Sequence, residues 1–388
     1  MAEARNFAVG RLASLDVFRG MTVAGMLLVN NAGNWSTVYP PLLHASWNGC
    51  TFTDLIFPFF LFIVGVSLVF SQDKRLATGT PTSILIASIL KRGIILILFG
   101  MALNLMIYFA APWVEHFRPP GVLQRIGVCY ILASLIALWF RPRGVAVWAV
   151  GLLLFYWAAM TFVPVPGFGA GVLEQKGNLA SYIDSFIFGP HAYIYDEATR
   201  WAHDPEGFFS TLPAVATTLL GCLTGRFIRC RPTGSTAVAG WLILAGGVAL
   251  GIGILWSGVF PLNKNLWTSS YVLVSAGWSG ILLGILYWVI DVKKISAWAL
   301  GFRVYGLNPI TAYVGAGAMS ISTIWIKVPG PDGEKIFLKT WIYQNIFEPG
   351  ITPYLGAQAA SASYGLFYVF LWCFLMFILY KKGIYLKV

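Results

Sequence analysis

The sequence predicts an all-α integral membrane protein, a polytopic bundle of about ten transmembrane helices. Its 388 residues are 58% hydrophobic and only 11% charged, with a mean hydropathy of +0.74, whereas soluble domains carry about 25% charged residues. Apolar runs recur from end to end, and about 20 such residues cross a bilayer. The runs are continuous and do not alternate, which favours helices over a β-barrel.

The apolar runs locate the spans along the chain. They predict helices at roughly 14–32, 52–72, 92–112, 121–140, 144–163, 208–228, 236–257, 267–290, 303–324 and 361–381. The segment 335–349 is short and amphipathic, which is typical of a segment lying at the interface. We expect a single transmembrane domain over 1–388, with a long outer loop at about 164–207 that covers something. Asp16 and Arg19 interrupt the first apolar stretch, so no cleavable signal peptide is expected.

The distribution of Lys and Arg predicts the orientation. With ten spans, one side collects 18 of the 26 Lys and Arg residues and the other collects 8. Cytoplasmic loops carry the excess of these residues, so both termini are predicted to be cytoplasmic. The net charge of +11 then reports topology, and no nucleic-acid partner is expected. Five cysteines without a CxxC pair predict neither a disulfide framework nor a metal site.

His44 and Asp54 stand out at the outer membrane boundary. An imidazole shuttles protons near neutral pH and also accepts acyl groups, but a histidine at headgroup level is equally consistent with a simple hydrogen-bonding role. Asp54 follows Thr51 in a capping-box pattern, and an acid there also suits a role in orienting a histidine. Cys50 is a weaker candidate nucleophile, because closeness in sequence does not place two side chains together.

Other polar residues occur at the ends of spans. Asn30 closes the first span, where it either stabilises an oxyanion or caps the helix. Gln124, Arg125 and Lys264 lie on the outer side, where the two cations oppose the topology bias and need local partners. At the cytoplasmic ends, a basic set either binds phosphates or enforces topology. It comprises Arg11, Arg19, Lys91, Arg92 and Arg303.

Several blocks together resemble the transmembrane catalytic domain of the heparan-α-glucosaminide N-acetyltransferase family. They are "RLASLDVFRGMTVAGMLLVNN", "HASWNGCTFTDLIFPFFLFIVG", "PPGVLQRIGVCY" and "PLNKNLWTSSYVL", in this order. The resemblance extends from about Arg11 to the C-terminus. It implies a bacterial member in the inner membrane, an acyltransferase that moves an acetyl group from cytoplasmic acetyl-CoA to the amine of a periplasmic glucosamine-type sugar.

The resemblance also implies roles for individual residues. His44 matches the family's active-site histidine, as base or transient acetyl acceptor, and Asn30 and Asp54 match residues that act with it. Arg11 and Arg19 match the end that binds CoA, to which Lys91, Arg92 and Arg303 are added here. Cys50 departs from the family pattern, which argues against a cysteine nucleophile. Trp47, Asn48, Gln124, Arg125 and Lys264 are the predicted sugar-binding residues, with no metal.

One alternative and two partners remain open at this point. Bacterial relatives also suggest an inner-membrane transporter of N-acetylglucosamine or a related amino sugar, which would not need a phosphate-binding cluster. The sequence has no paired broken helices of the kind that mark alternating access. Membrane lipid is an expected partner, and relatives suggest a homodimer.

Overall fold

The computed structural model describes residues 12–330 and 333–386, and the all-α polytopic prediction is confirmed. Each predicted span coincides with helix. The helices are α1 (Ala13–Asn30), α2 (Phe52–Ala77), α3 (Thr82–Ala110), α4 (Val122–Trp139), α5 (Pro142–Phe162), α6 (Leu179–Ile187), α7 (Thr211–Arg229), α8 (Thr236–Trp256), α9 (Ser269–Leu286, continued by a wider turn to Val292), α10 (Leu300–Leu307), α11 (Pro309–Trp325), α12 (Leu338–Ile342), α13 (Glu348–Leu355) and α14 (Ala357–Lys381).

Strands are few and lie outside the spans. Within the described ranges, β1 (Ile194–Asp196) pairs with β2 (Trp201–His203), and β3 (Lys327–Pro329) pairs with β4 (Lys335–Phe337), both antiparallel. The predicted interfacial segment 335–349 contains β4, α12 and the start of α13.

Eight of the described helices are long and apolar enough to cross a membrane. The other two predicted spans, α1 and the α10–α11 pair, are not in this set. The prediction of one uninterrupted helix at 303–324 was wrong, because α10 ends at Leu307 and α11 begins at Pro309. Proline has no backbone N–H and its ring blocks the preceding turn. The intervening Asn308 side chain hydrogen-bonds the backbone of Ile384 and Leu386 near the C-terminus.

Burial separates central helices from peripheral ones. The apolar stretch of α2 is 78% buried, and those of α7 and α9 are 61% buried, whereas that of α3 is 22% buried. The stretches in α5, α8 and α14 are each 28% buried. A helix that is apolar all round and only partly covered by protein is suited to contact lipid. The helix that begins beside His44, α2, therefore runs through the centre of the bundle.

Glycines allow the central helices to approach closely. A Cβ atom added at Gly65 of α2 would lie 2.0 Å from the carbonyl oxygen of Thr218 in α7. A Cβ atom added at Gly306 of α10 would lie 1.8 Å from the carbonyl oxygen of Asp16 in α1. Small residues at helix crossings are the usual means of backbone approach in membrane bundles. The positions of α1 and α2, which flank the His44 loop, are therefore set by backbone contacts.

Candidate active site

His44 and Asp54 form a hydrogen-bonded pair at the outer start of α2. The Nδ1 atom of His44 lies 2.6 Å from Oδ1 of Asp54. The Asp54 side chain is 1% exposed, whereas that of His44 is 50% exposed. A carboxylate accepts hydrogen bonds, so Nδ1 of His44 is the donor in this pair, and in the neutral imidazole Nε2 then keeps its lone pair. No bond to Nε2 occurs among the described residues, and this nitrogen is therefore available to a substrate.

Local sequence accounts for the position of Asp54. The capping box predicted from Thr51 and Asp54 is present at the start of α2. The Oδ2 atom of Asp54 accepts hydrogen bonds from the backbone N–H groups of Thr51 (2.9 Å) and Ala45 (3.1 Å). The Thr51 hydroxyl donates to the carbonyl of Leu43 (2.7 Å), next to His44. The same carboxylate thus caps the helix and orients the imidazole, so the two interpretations of Asp54 are compatible.

Contacts from distant segments hold the His44 loop in place. The indole nitrogen of Trp47 donates to the carbonyl of Leu173 (2.9 Å), and its ring meets His203 edge-on at 5.2 Å. The amide of Asn263 donates to the side-chain oxygen of Asn48 (3.2 Å). Residues 164–207, called the outer segment from here on because they are predicted to form an outer loop, and the α8–α9 connection therefore both converge on the loop that carries His44.

Arg125 is buried in the protein interior and is connected to the His44–Asp54 pair through intermediate residues. Its Nη2 donates to the carbonyl of Gly207 (2.9 Å) and to the Ser210 hydroxyl (2.5 Å), and its guanidinium lies 5.2 Å from the centre of the Trp267 ring. Tyr271, whose ring contacts Trp267, donates its hydroxyl to the backbone carbonyl of Asp54 (2.5 Å). This chain of contacts links Arg125 to α2 at the His44–Asp54 pair.

Gln124 and Lys264 have different surroundings. The amide of Gln124 donates to the carbonyl of Pro119 (2.9 Å) and packs against Gly100 of α3, with no hydrogen bond to the His44 loop in the described chain. Lys264 is half-buried. Burial alone would raise the pKa of Glu206, but the charges of Arg118 and, secondarily, of Lys264 lower it. Asn30 is exposed at the end of α1, and it makes no hydrogen bond to His44 or Asp54 within the described ranges.

An ion-pair cluster under the outer segment was not predicted. Arg118 donates from Nε and Nη2 to the two carboxylate oxygens of Asp204 (2.8 and 2.6 Å), and Nη2 also meets Glu206 (2.5 Å). The side chains of both acids are nearly inaccessible, at 0% and 7% exposed. Arg118 lies on the side predicted to be outer, where the topology bias disfavours arginine. The sequence signals for this cluster were the position of Arg118 and the two acids at 204 and 206.

Two further groups in this region have perturbed pKa values. Burial lowers the pKa of His203 to about 4, and Nδ1 of this ring lies 2.8 Å from the Ser181 hydroxyl. Burial raises the pKa of Asp184 to about 7, while its Oδ1 accepts from the Phe208 N–H (2.9 Å). The interior beneath the segment thus favours a neutral His203 and also a neutral Asp184.

Opposite pH dependences are expected when these two groups are removed singly. In His203→Gln, the raised pKa of Asp184 remains, so lowering the pH from 7 to 5 should stabilise the fold, as the folded carboxyl takes up a proton that the unfolded one does not. In Asp184→Asn, the lowered pKa of His203 remains, so the same change should destabilise the fold. Each effect is expected to be about 2 kcal/mol. Thermal unfolding in detergent at both pH values measures them, each taken relative to the unmodified protein, which carries the pH dependence of all other groups. Relative changes of the same sign in the two variants would contradict the assignment.

Cys50 is unsuited to nucleophilic attack. Burial, and secondarily the charge of Asp54, raise the pKa of the Cys50 thiol to about 12. A thiol in this state holds very little thiolate at neutral pH. The raised pKa therefore argues against the Cys50 thiol as a nucleophile.

The predicted phosphate-binding residues fall into two groups. Arg19 donates to the carbonyl of Gly306 (3.1 Å) and to the Ser67 hydroxyl (2.6 Å), which places it beside α10, the helix of Arg303. Lys91 and Arg92 are exposed on α3, and the Arg92 guanidinium lies 5.1 Å from the centre of the Tyr130 ring. No described contact joins the two groups. Arg11 lies outside the described residues.

Comparison with known proteins decides the family. The profile for "Heparan-alpha-glucosaminide N-acetyltransferase, catalytic" matches residues 11–252, well over half of the chain. The chain belongs to the heparan-alpha-glucosaminide N-acetyltransferase family. Heparan-alpha-glucosaminide N-acetyltransferase of Mus musculus is 31% identical over 361 residues, which cover 81% of this chain and 54% of the mouse protein. That of Homo sapiens is 31% identical over 353 residues, which cover 79% of this chain and 52% of the human protein.

This member of the family spans about half the length of the curated relatives it matches. The matched region contains His44, Asp54 and Arg125, whereas Lys264 and Arg303 follow it. The family resemblance noted from the sequence blocks is confirmed.

Proposed function

We propose that this chain is a multi-pass membrane N-acetyltransferase that moves an acetyl group from cytoplasmic acetyl-CoA to the amine of a glucosamine-type sugar on the opposite face. The His44–Asp54 pair is the observation that carries the proposal. A half-exposed imidazole with one nitrogen bound to a buried carboxylate is the arrangement of a positioned base or acyl acceptor. Family membership supports the acetyl-transfer chemistry.

His44 performs the central proton transfer in this proposal. The amine attacks the thioester carbonyl, Nε2 takes the proton that the amine releases, and CoA leaves as the thiol after receiving that proton. Asp54 holds Nδ1–H and stabilises the imidazolium that forms. Asn30 donates to the carbonyl oxygen as negative charge develops. In the two-step version, Nε2 itself takes the acetyl group before the amine arrives.

A small apolar pocket, with room for about one water molecule, lies within the bundle beside α1, and a thioester could reach the outer side there only if the helices move apart. The pocket lies between α1, α2, α4 and α11 and is lined by Val23, Met26, Phe60, Ile126, Ile310 and Tyr313. Arg19, Val23, Met26 and Asn30 occur at intervals of 4, 3 and 4 residues, so they share one face of α1. That face begins at a basic residue near the predicted cytoplasmic end and reaches the outer loop that leads to His44.

The topology and location complete the proposal. Both termini are cytoplasmic, the protein forms one domain in a bacterial inner membrane, and Arg11, Arg19, Lys91, Arg92 and Arg303 bind the CoA phosphates. Trp47, Asn48, Gln124, Arg125 and Lys264 bind the sugar or support the groups that do. Arg19→Ala would then weaken acetyl-CoA binding and leave sugar binding unchanged.

The direct test uses full-length protein in proteoliposomes. Labelled acetyl-CoA is supplied on one side and glucosamine on the other, and labelled N-acetylglucosamine is measured on the glucosamine side. Transfer supports the proposal, and its absence with correctly folded protein would refute it. Incubation with acetyl-CoA alone separates the two routes, because only the two-step route leaves labelled protein.

Replacing Asp54 with asparagine is expected to lower kcat about 100-fold. The amide cannot accept from His44 Nδ1–H and from two backbone N–H groups as the carboxylate does, so the imidazole loses its orientation and its charge partner. Rates of acetyl transfer at saturating acetyl-CoA measure the effect. Thr53→Val, one position away and also buried, is the matched control that removes a hydroxyl bonded to the Pro41 carbonyl. Equal losses in both variants would indicate a general effect on the helix start.

Amino-sugar transport remains the second candidate, and one observation favours it. The interruption between α10 and α11 at Asn308 resembles the discontinuous helices of transporters. A transporter binds N-acetylglucosamine but does not need acetyl-CoA. Calorimetric titration of the purified protein with each ligand distinguishes the two functions.

A further inference from the structure

Apart from the buried Asp54 carboxylate, the loop that carries His44 has no charged side chain. Residues 33–51 contain no Lys, Arg, Asp or Glu. The accessible side chains near His44 are instead aromatic, aliphatic or amide. They are Tyr39, Leu43, Trp47, Asn48 and Phe52. Such a surface offers ring faces and hydrogen-bonding groups, but no fixed charge for an anion.

Three cations lie on segments that contact this loop. The Lys339 ammonium lies 5.7 Å from the centre of the Trp35 ring and 6.0 Å from that of Tyr364. Lys264 is half-buried next to Glu206. Arg125 is 2% exposed, and its Nη2 donates to Gly207 and Ser210, while its buried Nε and Nη1 have no hydrogen-bond partner among the described residues. All three cations are thus buried or half-buried, and none is fully exposed to an acceptor at the surface.

The accessible charges of the outer segment nearly balance, with Glu174, Asp196 and Glu197 against Lys176 and Arg200. Lys176 is paired with Asp196, and Arg200 lies at the turn between β1 and β2, three residues after Glu197. Glu174 is exposed and directly follows Leu173, the residue whose carbonyl holds Trp47. The exposed charged residue nearest in sequence to this anchor is therefore an acid.

We propose that the acceptor of this chain is a short glucosamine saccharide that carries no sulfate or carboxylate groups, and that its surroundings disfavour polyanionic acceptors. This inference rests on the proposed acetyl-transfer function. Recognition of sulfate or carboxylate groups in proteins relies on accessible Arg and Lys. A site rimmed by aromatic rings, an amide and a carboxylate suits a neutral or amine-bearing sugar, and repels an anionic one.

The test compares two acceptors in nanodiscs of uncharged lipid. One is the β-1,4-linked glucosamine disaccharide, and the other is a sulfated disaccharide that ends in the same free glucosamine. At low ionic strength, kcat/KM for the first is expected to be about tenfold higher, and the ratio should shrink as salt is added. An equal or higher value for the sulfated disaccharide would overturn the inference and leave the acetyltransferase function intact. If neither acceptor is acetylated, the proposed function fails and the inference fails with it.

A charge reversal at Glu174, the residue after the Trp47 partner Leu173, tests whether the selectivity arises in this part of the molecule. Glu174→Lys should shift the kcat/KM ratio about fivefold toward the sulfated disaccharide. Glu115→Lys makes the same charge change at an exposed acid in the α3–α4 connection and should leave the ratio nearly unchanged. Equal shifts in the two variants, or no shift in Glu174→Lys, would show that the rim beside His44 does not select the acceptor.

Discussion

His44→Ala is expected to lower kcat for acetyl transfer about a thousandfold, while acetyl-CoA still binds. The ring is the only imidazole in residues 33–51, and a positioned general base contributes about 100- to 10,000-fold. The exposed half of the ring carries little packing energy, so the fold should persist. Single-turnover acetylation of glucosamine measures the rate, and titration with acetyl-CoA measures donor binding.

His116→Ala is the matched control, since His116 is an exposed outer-loop histidine whose ring contacts only another histidine, His191, among the described aromatic pairs. Its activity should remain near that of the unmodified protein. Turnover in His44→Ala within a fewfold of the unmodified rate would rule out His44 as base and as acetyl acceptor. Loss of acetyl-CoA binding together with turnover would instead indicate misfolding.

Arg118→Ala is expected to destabilise the protein by about 3–5 kcal/mol. The substitution leaves Asp204 and Glu206 beneath the outer segment without the guanidinium that bridges them, and their side chains are only 0% and 7% exposed. An uncompensated buried charge is far more costly than a lost surface pair. The Arg118 pKa is raised by these two acids despite its burial, so the guanidinium stays charged at any practical pH. Thermal unfolding in detergent measures the change.

Lys176→Ala provides the comparison on the same segment. Its partner Asp196 is 30% exposed and the lysine itself is 55% exposed, and exposed pairs contribute about 0–1 kcal/mol. A small loss of stability in Lys176→Ala together with a large loss in Arg118→Ala would show that the buried Arg118 cluster holds the outer segment in place. Similar small effects in both variants would contradict this account. Activity should fall in Arg118→Ala as well, because Trp47 is held by the same segment.

The sequence contained much of the candidate site because part of its geometry is local. Thr51 and Asp54 are three residues apart, and a capping box is built from that spacing alone. His44 lies only ten residues before Asp54, within the same turn-rich connection. The contacts that the sequence did not predict join residues far apart in the chain. Asn48 meets Asn263, 215 residues away, and Arg118 meets Asp204, 86 residues away.

Gln124 and Arg125 show why residue type and position were insufficient to assign contacts. Arg125 was expected to need a local partner, yet its partners Gly207 and Ser210 come from the far end of the outer segment. Gln124, its neighbour, turns to Pro119 and Gly100 instead. Adjacent residues on a helix differ by about 100° in direction, so which one faces the site depends on how the helix packs.

By itself, the sequence determined the membrane class, the approximate spans, the capping box and the histidine of the outer loop. These follow from hydropathy summed over windows and from bonds between near neighbours, which need no knowledge of the remaining chain. The tertiary structure alone decided that Asp54 is buried against Tyr271, that Trp47 is held by the outer segment and that α10 and α11 are separate helices. Those features depend on which helix faces meet in the bundle, and long-range packing settles that choice.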